Sequence, residues 1–171
     1  MLEELIKRNK VIVIILALIA AALLLWRIWP HTLREIIGAS DEPLDSIIIH
    51  VTEKDVVDGR AKVDAYQLEI SPSNREAYNY VVSLLEGTKY QKGFRNLLPL
   101  ANNAIDSGSH FGMLSITGAD FDASCYVSYY QNQAELFYVG SDSGFLVYHP
   151  TNRTVLNQLL TYTMEHGVFQ E

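Results

Sequence analysis

The sequence predicts an α+β domain behind an N-terminal transmembrane helix, and three observations carry that prediction. Residues 11–26, VIVIILALIAAALLLW, run sixteen positions without a charge. Beyond them, runs rich in β-branched and aromatic residues recur, separated by polar or glycine turns. Two stretches of helical period interrupt or close that series. The expected order is ββαβββββα, a mostly antiparallel sheet of six or seven strands with two packed helices.

The apolar run follows a basic head, residues 1–10, with Lys7, Arg8 and Lys10. Sixteen helical residues reach about 24 Å, and a span over residues 11–29 approaches the ~30 Å hydrocarbon core. Trp26 and Trp29 bracket Arg27 where an interfacial aromatic belt sits, and Pro30 ends the helix. The basic bias before the run places the N-terminus in the cytoplasm and the larger part outside, as a single-pass protein of the cell membrane. A cleaved signal peptide is the alternative. Cutting after Ala20 or Ala22 would fall inside the run, and Gly38-Ala39-Ser40 lies well past its end, so the uncleaved anchor is preferred.

Residues 30–45 read as a juxtamembrane stalk, broken between Gly38 and Pro43. The domain is expected from residue 46 to 171. Ile47, Ile48, Ile49 and Val51 begin a strand, Lys62 to Ile70 alternate as a second, and Asp58-Gly59 between them signals a hairpin. A helix follows, capped by Ser73 or by Ser71 ahead of Pro72, with Ala77, Val81, Leu84 and Leu85 as its stripe and Gly87 as its end. Thr88 to Leu98 is a candidate strand, and residues 99–108 form the longest loop. Four strands then run over His110–Thr117, Phe121–Tyr130, Ala134–Val139 and Phe145–His149. The last helix covers roughly Asn152 to His166, with Thr151 as cap and a Schellman ending at Gly167-Val168.

Composition bounds the chemistry. Residues 31–171 hold nine Lys plus Arg against eighteen Asp plus Glu, a net of −9, scattered along the chain. Such a surface is repelled by nucleic-acid phosphates and by anionic lipid or wall polymers. The single cysteine, Cys125, allows no internal disulfide and sits in an alternating strand, where it reads as a small buried hydrophobe.

His50, His110 and His149 lie in predicted strands and would make a metal or hydrolase site only if those strands converged them, with Asp120 or Asp122 completing it. None has a partner at ligand spacing. Asp120-Phe121-Asp122 and Ser141-Asp142-Ser143-Gly144 do not fit the twelve-residue calcium loop and read as turns. No glycine-rich phosphate loop, nucleophile elbow or zinc-protease helix is present, so no catalytic residue, cofactor or metal is assigned.

A short basic head, an anchor and one α+β domain resemble the small single-pass proteins of Gram-positive bacteria that carry an extracytoplasmic domain of unknown function. The likeness is strongest from Ile48 through Tyr90: strand, strand, capped helix, then Gly87-Thr88-Lys89-Tyr90. It implies a cell-surface domain and transfers no functional residue. Seven strands and a terminal helix also resemble a pleckstrin-homology barrel, but the helix after the second strand departs from that pattern.

The functional expectation is a non-enzymatic binding module for a protein, peptide or cell-wall component, held to a lipid bilayer through residues 11–29. Tyr126, Tyr130, Tyr138 and Tyr148 are the candidate contacts on the sheet face left open by the helices, and they should project together. The alternatives are a small hydrolase or metal enzyme using His50, His110 or His149, and an acidic membrane immunity or accessory protein.

Overall fold

A computed structural model describes residues 10–27, 29–93, 110–130, 133–140 and 144–170, with the backbone alone at some helix and strand positions. Helix α1 spans Lys10–Arg27 and a short helix α2 spans Leu33–Ile37. Strands β1 (Ser46–Val57) and β2 (Arg60–Ile70) precede helix α3 (Arg75–Glu86). Strand β3 (Tyr90–Lys92) comes next, then β4 (His110–Gly118), β5 (Phe121–Tyr130), β6 (Gln133–Gly140) and β7 (Gly144–Pro150). Helix α4 (Val155–His166) and a terminal strand β8 (Val168–Gln170) close the chain.

The strands form one sheet in the order β3-β7-β6-β5-β4-β1-β2-β8, with every pairing antiparallel. The β1–β2 hairpin turns on Asp58 (φ 53°) and Gly59 (φ 73°). Two successive positive φ values match the type I′ turn that the right-handed twist of paired strands favours. Register then decides the faces. Ile47, Ile49 and Val51 stand opposite Ile116, Leu114 and Gly112, which stand opposite Ala123, Cys125 and Val127. These positions form the core with Val81 and Leu85 of α3 and Val155, Leu156, Leu159 and Leu160 of α4. The α+β class and the antiparallel sheet are therefore as expected, with eight strands rather than six or seven, and α3 and α4 pack on one face.

The membrane-spanning helix of the expected fold class is corrected. Helix α1 has eighteen residues with Lys10 and Arg27 at its ends. Its eighteen residues rise about 27 Å with a charged residue at each end, short of a ~30 Å hydrocarbon core. Among the described residues, no helix is long and apolar enough to cross a membrane.

Four local expectations also change. Residues 31–44 are not a stalk: Leu33, Ile36, Ile37 and Leu44 are buried in the core. Thr32 and Glu35 make a capping box on α2, with Thr32 N donating to Glu35 Oε2 at 2.7 Å and Glu35 N to Thr32 Oγ1 at 3.1 Å. Gly38, at φ 71°, ends that helix in the left-handed conformation. The N-caps of α3 and α4 are Asn74 and Thr154, neither with a side-chain capping bond. Thr151 instead ties β7 to β3, accepting from Lys89 N at 3.3 Å. Gly167 is extended rather than left-handed, because the chain passes straight into β8 beside β2. Within the expected strand Thr88–Leu98 only Tyr90–Lys92 pair, and residues 94–109 lie outside the described residues.

Candidate binding surface

Among the described residues, the helices pack on the core face and not on the other. Across it, Gln67, His50, Met113, Tyr126, Phe137 and Val147 stand directly opposite one another on β2, β1, β4, β5, β6 and β7. Such cross-strand neighbours are spaced to act as one surface. Gln67, His50, Met113 and Tyr126 are half-buried, and Val147 is 6% exposed. The row is more apolar than the solvated face of an antiparallel sheet usually is.

The four candidate tyrosines do not share that face. Tyr126 belongs to the row. Tyr148 is 4% exposed and part of the core, so it is not a surface contact. Tyr138 is in register with Cys125, and Tyr130 with Gln133 at the far end of β5 and β6. The side chains of Tyr130 and Tyr138 lie outside the described residues. Alternation on each strand therefore splits the set, because positions 126 and 130 have one parity and register places 138 and 148 in the other.

The three histidines are separated as well. His50 lies on the open face of β1, and His149 is in phase with Val147 on β7, four strand spacings away. That is roughly 19 Å at ~4.8 Å per strand. His110 is two residues before Gly112, in phase with the core positions of β4, and its side chain lies outside the described residues. Asp120 is exposed in the β4–β5 turn and Asp122 is exposed at the start of β5. Among the described residues, no three His, Cys, Asp or Glu side chains are grouped to hold a metal ion.

Cys125 is fully buried, and burial pushes its thiol up to about 12. It stays protonated and unreactive at neutral pH. Burial likewise raises the phenol of Tyr90, whose hydroxyl donates to Leu85 O at 3.1 Å. Both groups are neutral parts of the core.

The helical layer carries an aromatic cluster that the sequence reading missed. Tyr80 of α3 lies 4.5 Å from Tyr162 of α4, ring centre to ring centre, and Tyr162 lies 4.3 Å from His166. Tyr80 and His166 are exposed. The i, i+4 spacing of Tyr162 and His166 was the available signal, since it places both on one helix face.

At the N-terminal side, His31 N donates to Tyr90 O and Tyr90 N to His31 O, each at 2.8 Å. Arg34 is the second attachment. Its Nε donates to Glu86 Oε1 at 2.7 Å, and its Nη1 donates to the carbonyls of Ser40 and Glu42. Tyr78 OH bonds both backbone groups of Leu44. Thus the chain is fixed to the domain from residue 31 onward. No protein-family model, curated protein or solved structure matches the chain.

Proposed function

We infer that this chain is a non-enzymatic binding module that associates with a lipid bilayer through α1 and presents the open sheet face to a protein or peptide. The observation that supports the lipid part is the exposure of α1. The described Ile, Val and Leu side chains between Ile12 and Leu25 are between 36% and 64% exposed. They occupy successive positions, so they cover every side of the helix rather than one stripe. A helix apolar all round requires an apolar surrounding. The core cluster supplies none, since its earliest member among the described residues is Leu33. Lipid supplies it, and association does not require crossing.

The binding role is supported by the character of the sheet row, and the described polar groups do not converge beside it. His50 and His149 are far apart, and Cys125 is a protonated core thiol, so these residues make no catalytic constellation. The half-buried row through Met113 and Tyr126 has the mixed aromatic and apolar character of interface centres.

Flotation of the full chain with phosphatidylcholine vesicles tests the reading. The protein is expected to rise with the vesicles, and Leu16→Lys with Ile19→Lys to leave most of it in the dense fraction. Equal flotation of that variant would sink the lipid assignment. For the sheet face, Met113→Asp with Tyr126→Asp should abolish partner binding while Tyr80→Ala leaves it intact.

A further inference from the structure

Only three residues, 28–30, separate the end of α1 from His31, which is hydrogen-bonded to β3. Four Cα–Cα steps reach at most about 14 Å. The polar layer on each side of a bilayer is roughly 5–8 Å thick. With α1 in lipid, as the reading above holds, the β3 edge of the sheet must lie against the headgroups or within a water layer of them.

That edge differs in charge from the rest of the domain. Lys89 and Lys92 lie on either side of Tyr90, the residue bonded to His31; Lys89 is exposed and Lys92 is partly exposed. Arg153 is exposed two residues beyond Thr151, whose N–H donates to Lys89 O at 2.7 Å. Among the described side chains, Glu35 and Glu86 are the acids beside this edge. Glu86 is already paired with Arg34 at 2.6 Å. Glu35 is held ionised by the backbone N–H of Thr32, and it faces His31 and Lys89.

Other acids that make the domain negative lie elsewhere. Asp58 is at the β1–β2 turn, five strand spacings from β3, roughly 24 Å. Asp120 is at the β4–β5 turn, at the opposite end of the strands. Charges beyond ~8 Å are largely screened at physiological ionic strength. Contact is therefore governed by the local lysines and not by the net charge.

We propose that the β3 edge, through Lys89, Lys92 and Arg153, docks on anionic phospholipid headgroups and so holds the open sheet face at a fixed attitude to the bilayer. Its occupant is an anionic lipid surface, favoured by charge complementarity and by continuity with the apolar helix. Each lysine near such a surface contributes about fivefold to local affinity.

The test uses the full chain with an environment-sensitive dye on Gln91→Cys and vesicles carrying headgroup spin-label quencher. The native Cys125 is buried and does not compete for the dye. Quenching should be at least twofold greater on vesicles containing phosphatidylserine than on phosphatidylcholine alone. The difference should vanish in 0.5 M salt and with Lys89→Gln plus Lys92→Gln, while dye on Asp120→Cys shows no such difference. Equal quenching on both vesicles, in a chain that floats with both, overturns the docking edge and leaves the lipid reading standing. A difference that survives the lysine substitutions overturns the assignment to these residues. A chain that floats with neither vesicle overturns the lipid reading, and the docking edge with it.

Discussion

Arg34 joins three parts of the chain that the sequence separates by up to 52 residues. Its guanidinium pairs with Glu86 at the end of α3 and donates to the carbonyls of Ser40 and Glu42. The pair is partly shielded from water, so it contributes more than an exposed ion pair does. Arg34→Ala should lower stability by about 1–2 kcal/mol, with a melting-temperature fall of several degrees. Arg34→Lys should recover only part, because an ammonium lacks the planar fork that reaches three acceptors. Recovery of the full melting temperature by lysine would show that charge alone matters.

Cys125 and Tyr90 set a second expectation at this scale. Burial raises both above their ordinary values. In the unfolded chain the thiol ionises from about pH 9, whereas in the folded domain it holds its proton to about 12. Between those values the unfolded state binds fewer protons, so stability is full below pH 9 and falls as pH rises. Denaturant midpoints measured from pH 7 to 11 should show that fall, and Cys125→Ala should make it shallower. A flat profile would contradict the burial of these groups.

Helix α2 shows how elements escaped the sequence reading. The β1–β2 hairpin was legible because Asp58-Gly59 encodes its own turn, and the β4–β7 meander because short strands alternate between polar breaks. Both depend on neighbours in sequence. Five residues, Leu33–Ile37, are too few for a periodic signal, and the helix is tied through Arg34 to Glu86, 52 residues away. Likewise Tyr148 looked like a surface aromatic because register, which sorts a strand's residues between two faces, is decided by its partners. Strands and their neighbouring hairpins are legible in the sequence, whereas the long-range pairings of β1 with β4 and β3 with β7 are not.

The domain boundary follows from the same element. Leu33, Ile36, Ile37 and Leu44 are each buried, and each contributes roughly 1.5–3 kcal/mol by that burial. Together they approach the ~5–15 kcal/mol by which a whole domain is stable. A fragment of residues 31–171 should unfold cooperatively, and one of residues 46–171 should not. Cooperative melting of the shorter fragment would return residues 31–45 to the role of a stalk. Leu33→Ala alone should cost about 2–4 kcal/mol.

At the scale of the molecule, an acidic α+β domain adjoins a helix whose apolar side chains face outward on every side. These parts meet within three residues, so lipid around one fixes the surroundings of the other. The most direct measurement uses the chain's only tryptophans, Trp26 and Trp29, at the end of α1. Trp29 is 65% exposed in the structure. On adding vesicles to the full chain, emission should shift to shorter wavelength, and lipids brominated high on the acyl chain should quench it. Emission that neither shifts nor is quenched, with vesicles in excess, would contradict the account and place α1 against protein instead of lipid.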